Sequence, residues 1–241
     1  MNTTMNPPPI PRPTLRGLVF EPMPEEPNPA SVLETLLKQP GRIVHDLHHR
    51  SAAGLPIWLL GLGLMGMALY GLIVGMLSGG PQLWVAPAKM ALGTLLAMII
   101  CLPSLYIFVC LDGIETRIRT VSGLLFAAVC LAALLLVGFA PVGWIFSQST
   151  DSIPLIGALH LLFWIIAVGF GLRLLNAAGA FFGSGGRLHL KLWNLIFILV
   201  CLQMTATLRP IIGRADTFFP GEKKFFIAHW MDTMAGRTEK R

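Results

Sequence analysis

The chain has 241 residues, of which 54% are hydrophobic and only 12% charged, with a mean hydropathy of +0.70. Soluble domains carry about 25% charged residues, so a soluble core is excluded. The net charge of +6 and pI near 9.5 come from Lys and Arg placed just outside apolar runs, with no basic run interleaved with aromatics, so membrane lipid is the expected partner and nucleic acid is not.

Residues 1–30 hold nine prolines and no apolar run of signal-peptide length, which predicts a Pro-rich disordered arm and leaves the first span to direct insertion. Over 31–52, Ser31-Val32-Leu33-Glu34 has the pattern of a capping box, and Leu33, Leu36, Leu37, Ile43, Val44 and Leu47 supply an apolar stripe broken at Pro40-Gly41. Two short amphipathic juxtamembrane helices lying at the membrane surface are predicted there.

Residues 53–212 are expected to form the transmembrane domain. About 20 apolar residues cross a hydrocarbon core of about 30 Å, and the runs near 57–78, 84–110, 121–147, 153–173 and 190–211 meet that length without an interior Asp, Glu, Lys or Arg, Lys89 standing at a span edge. The fold class is therefore all-α, a polytopic membrane bundle of about five helices. Ser78-Gly79-Gly80-Pro81 predicts a tight hairpin between the first two spans, and Pro103 predicts a kink in the second. The charge-free segment from Leu174 to Gly186 is expected to skim the interface.

Orientation is read from Lys38, Arg42 and Arg50 before the first span, Arg117 and Arg119 after the second, and Arg173, Arg187 and Lys191 after the fourth. This alternation places the N-terminus in the cytoplasm, and five spans place the basic tail outside. The charge-free stretch of the last run, Leu192 to Leu208, is only 17 residues, and a full span requires extension to Ile212 with Arg209 reaching outward. Residues 213–241 follow as an interfacial amphipathic tail, in which Phe226, Trp230 and Met234 recur every fourth residue opposite Lys223 and Lys224.

Few residues carry candidate chemistry. Gly61-Leu-Gly63-Leu-Met-Gly66 matches GxGxxG inside a span, with no preceding strand, and its glycines are expected to serve packing. Gly71, Gly75 and Gly79 share one helix face and predict close helix approach, either internal or between molecules. Asn194 and Gln203 are expected to hydrogen-bond another helix. His45, His48 and His49 form the densest titratable cluster but lack a third ligand at metal spacing, so no metal is expected. His160 is the one titratable group well inside a span, a possible functional intramembrane residue, although His189 lies at the opposite membrane face and cannot complete a bis-histidine haem site. Ser104 has no base nearby, and Cys101, Cys110, Cys130 and Cys201 read as small buried thiols. No catalytic residue and no cofactor are expected.

The segment Leu36-Leu37-Lys38-Gln39-Pro40-Gly41-Arg42, a short basic stretch and then five spans, resembles bacterial members of the Yip1 domain family over residues 31–210. That resemblance implies a five-span protein with a cytoplasmic N-terminus, here in the bacterial inner membrane. In eukaryotes the family is associated with membrane trafficking and has no agreed catalytic residues. The expected function is a non-catalytic membrane scaffold or accessory subunit, assembling with other membrane subunits or with itself. The alternatives are a channel or transporter component for a neutral or lipid-like solute, and a redox-complex subunit using His160.

Overall fold

The computed structural model describes residues 14–15, 18–50, 54–78, 82–149, 153–183 and 187–207. Two short strands, β1 (Thr14–Leu15) and β2 (Leu18–Val19), pair antiparallel with Thr14 opposite Val19. Seven helices follow: α1 (Pro29–Lys38), α2 (Pro40–His49), α3 (Gly54–Ser78), α4 (Gln82–Leu111), α5 (Ile118–Ser149), α6 (Ile153–Phe181) and α7 (Arg187–Thr207). Among the described residues the protein is all-helical apart from the strand pair, and α3 to α6 are long and apolar enough to cross a membrane.

The fifth predicted span is α7, whose apolar stretch His189–Met204 is shorter than the other four. Arg187, His189 and Lys191 occupy its first turn and a half, and at about 1.5 Å per residue the remainder falls short of about 30 Å. The tail beyond residue 207, including Lys223, Lys224, Phe226 and Trp230, lies outside the described residues, as does Gly79.

Helix α5 is the hub. It is 67% buried over its span against 28% for α4, and it packs on α3 and α6, while α7 closes the ring between α4 and α6. Small residues let this happen. Gly63 and Gly66 of α3 face Cys130 and Ala133 of α5, and Gly171 of α6 lies directly against the Ala128 carbonyl. Close backbone approach of this kind maximises dispersion contact where no hydrophobic effect drives helix pairing. Of the GxGxxG glycines, Gly61 alone faces open space.

Three boundaries differ from the sequence expectation. The first concerns α1, whose N-cap is Asn28 rather than Ser31: the Asn28 carboxamide accepts from the Ser31 amide at 2.8 Å, and the Ser31 hydroxyl accepts from the Asn28 amide at 3.0 Å. Pro29 at the first helical position favours this earlier start, and Glu34 is released to pair with Lys38 at 2.7 Å. The second is α6, which runs through Leu174 to Phe181 instead of ending near 173. No breaker occurs before Gly183, whose positive φ of 87° follows the last turn, and buried Ala177, Ala178 and Gly179 pack beneath it.

The third is the arm assigned to disorder, of which residues 18–28 are docked. Phe20 and Met23 are buried, and Phe20 stacks on Phe181 with ring centroids 4.3 Å apart. Gly41 at the start of α2 makes room, because the Val19 carbonyl sits where a Cβ would go. With α1 and α2 this segment forms a cap over the end of the bundle where α3 begins and α6 ends. Val32, Leu36, Ile43, Val44 and Leu47 of the two helices are buried in it, each contributing about 1.5–3 kcal/mol of hydrophobic stabilisation. The apolar faces read from the sequence as membrane-surface faces thus turn onto the protein itself.

Candidate functional site

The intramembrane polar residues fall into two groups. Two turns into α6, His160 is 8% exposed and shares a 2.6 Å hydrogen bond through Nδ1 with the Tyr70 hydroxyl of α3. With the hydroxyl donating, the imidazole is neutral and carries its proton on Nε2. That second nitrogen has no hydrogen-bond partner among the described residues, and it lies over Gly143, where a Cβ would stand 3.1 Å from Cε1 and 3.7 Å from Nε2. The ring is therefore wedged between a tyrosine and the α5 backbone. The dyad pins α3 to α6.

Lys89 is the second element, and it corrects the sequence reading. Taken as a span-edge residue, it is 1% exposed and enclosed by the bundle. It lines a cavity of about 60 Å³ to which all five long helices contribute, with Met67, Met90, Ala128, Trp164 and Phe197 among its walls. His160 is accordingly not the one ionisable group within the spans. Lys89 has an interaction of its own, and the rest of the named wall is apolar or aromatic.

The helix-packing residues named from sequence are also placed. Gly71 faces α4 at Ala86 and Pro87, where a Cβ would stand 2.8 Å from the Pro87 Cα, so its contact is internal. Gly75 is buried. Asn194 of α7 donates to Asn176 of α6 at 3.2 Å, and Gln203 is half-buried with an interaction of its own. Sequence reasoning missed Asn176 and Trp193. The Trp193 indole is fully buried and donates to Ser104 Oγ at 3.1 Å and to the Cys101 carbonyl at 3.3 Å, next to Pro103. Ser104 itself donates to the Cys101 carbonyl and accepts from the Trp193 indole, which makes it a docking point for α7. All four cysteines are free, and Cys110 is exposed, not buried as expected.

At the capped end, the carboxylate of Asp46 is fully buried and acts as a hub. It accepts from the Met23 amide at 3.3 Å, contacts His45 Nδ1 at 3.2 Å and Arg50 Nη1 at 3.5 Å. Arg42 ties the arm down from the other side, through the Pro22 carbonyl at 2.9 Å and Glu21 at 3.1 Å. His45 and His49 stack with centroids 4.4 Å apart, and His48 packs on Phe182. Partial desolvation, then the neighbouring His49 and His45, lowers the pKa of the exposed His48. No group of three or more His, Cys, Asp or Glu suited to a metal ion occurs among the described residues. A further pair, Asp112 and His189 at 2.6 Å, joins the end of α4 to the start of α7. The signal for Asp46 was present in the sequence as an acidic residue among three histidines, but its partner Met23 is 23 positions away.

The chain matches no known protein family, no curated protein and no solved structure.

Proposed function

We propose that this chain is a non-catalytic, multi-pass membrane scaffold or accessory subunit whose cap faces the cytoplasm of a bacterial cell, with α7 as a fifth span. The observation that supports the reading is the cap. Residues 18–49 are held over one end of the bundle by buried apolar side chains and the Asp46 hub, which makes a rigid platform joined to a membrane anchor. Lys and Arg favour this end: among the described residues Lys89 is the one basic residue in the opposite half. The Leu36–Arg42 segment that carries the Yip1-like resemblance is the joint between α1 and α2.

Assembly is tested by placing a photo-crosslinking residue at Leu92, Leu96, Ile99 or Ile107, which lie on the outward side of α4, the least enclosed of the four long helices. A discrete protein adduct from one or more of these positions in native membranes is the expected result, and lipid adducts alone would overturn the proposal. Orientation is tested separately with a cysteine at exposed Glu115, which should resist impermeant reagents in intact cells.

The second reading, a channel component for a small neutral solute, is favoured by one observation, the five-helix cavity of about 60 Å³ with Lys89 in its wall. Filling that cavity with Ala132→Phe should abolish solute flux in liposomes while leaving cross-links on α4 intact.

A further inference from the structure

We infer that a second, polar pocket at the capped end binds a phosphate-bearing anion. It has a volume of about 290 Å³ and lies between the last turn of α2, the start of α3 and the connection from α4 to α5. Its charged and titratable lining consists of His48, His49, Arg50, Arg117 and Arg119, opposed by the single carboxylate of Glu115. Leu47, Pro56, Thr116 and Thr120 complete the described wall.

Three features select the ligand class. Arg50 is committed in part to Asp46, through Nη1 at 3.5 Å, but its side chain is half exposed. Arg117 and Arg119 make no ion pair among the described residues and are exposed, so two guanidinium forks are available at one opening. Guanidinium groups bind phosphate oxygens in bidentate fashion, and two or three of them converging on one cavity match a tetrahedral oxyanion better than a single carboxylate. The first turn of α5 begins at this pocket and contains no acidic residue, so the positive end of a 32-residue helix adds to the same potential. Thr116 supplies a hydroxyl beside it.

Position then suggests two sources for the phosphate. Pro56 is in the first turn of α3 and Arg119 in the first turn of α5, so the pocket sits where two long apolar helices begin. A lipid headgroup reaches such a level from the bilayer, and a soluble phosphate reaches it from water. The shared chemistry is a phosphate group held by Arg117 and Arg119. This inference does not depend on the assembly reading, since neither α4's outer face nor a partner contributes to the pocket.

The test uses the full chain in phosphatidylcholine nanodiscs, with thermal unfolding as the readout. Inorganic phosphate is titrated at constant ionic strength in one arm, and phosphatidylglycerol is incorporated into the disc in the other. Stabilisation by phosphate identifies a soluble ligand, and stabilisation by phosphatidylglycerol alone identifies a headgroup. In either case Arg117→Gln/Arg119→Gln should weaken the apparent affinity by about tenfold or more, because two charge-assisted contacts are lost. The control Arg173→Gln/Lys191→Gln removes the same charge from exposed positions on α6 and α7 and should retain binding. No stabilisation by either probe, or equal loss in both double variants, overturns the proposal. Should the first double variant fail to fold, Glu115→Gln decides: removal of the opposing carboxylate should tighten binding, and unchanged or weaker binding overturns it.

Discussion

The bundle and its cap are stabilised by different means. In the bundle, helices meet through small residues and sparse polar contacts: Gly171 against the Ala128 carbonyl, and His160 with Tyr70 as its one hydrogen-bond partner among the described residues. In the cap, one buried carboxylate serves a backbone amide, an imidazole and a guanidinium, while Phe20 of the arm stacks on Phe181 and His48 of α2 packs on Phe182. The difference reflects solvent. Among apolar side chains a polar group is cheapest when neutral and singly paired, whereas near water charge can be retained if several donors share it. It also leaves cationic groups accessible at the cap, while the His160 Nε2 is buried.

The sharpest test of the bundle is Gly171→Leu. Its side chain must displace the α5 backbone, and overpacking of this kind costs about 3 kcal/mol or more, so folded yield after detergent extraction should collapse. Gly61→Leu, facing open space, should leave that yield unchanged. Equal losses in the two variants would remove close backbone approach as the organising feature.

On the cap side, Asp46→Ala should cost about 2–3 kcal/mol by stranding the buried Met23 amide and freeing Arg50 and His45. Limited proteolysis should then cut within residues 18–28 while α3 to α6 stay protected. Loss of protection across the whole chain would instead show that cap and bundle unfold as one unit. A smaller effect is expected from Tyr70→Phe, about 1 kcal/mol in reversible unfolding, because one interhelical hydrogen bond at membrane depth is lost without a cavity. No change would show that the pair merely tolerates its neighbours.

The smallest effect is a pH slope. His48 is held below its ordinary value of 6.5 by partial desolvation and by its histidine neighbours, so the unfolded chain binds a proton that the folded cap resists. Stability is fully present above pH 6.5 and falls as the pH drops from there through the lowered folded value. His48→Gln should flatten that part of the profile, and an unaltered slope would assign it to other groups.

Much of the bundle was legible in the sequence, because hydropathy is a local sum. The apolar runs located α3 to α6, and Gly79-Gly80-Pro81 marked the α3–α4 boundary. The amphipathic stripe over 31–52 located α1 and α2. Sites were less legible. Lys89, near the start of α4, was read as an edge residue because sequence distance from a span end says nothing about which helix closes over it. The Pro-rich composition of the arm pointed to disorder, and the docking of Phe20 on Phe181 depends on a ring more than 150 positions away.

The sequence by itself determined that this is a multi-pass, all-helical membrane protein with two short amphipathic helices before its first span. Those properties follow from the length and periodicity of apolar runs against a solvent of known thickness. The tertiary structure alone decided which faces meet: that α5 is the hub, that Tyr70 answers His160, that Lys89 is enclosed, and that Arg50, Arg117 and Arg119 open on one pocket. Pairings of that kind arise from packing between residues distant in the chain, which no local pattern of hydrophobicity encodes.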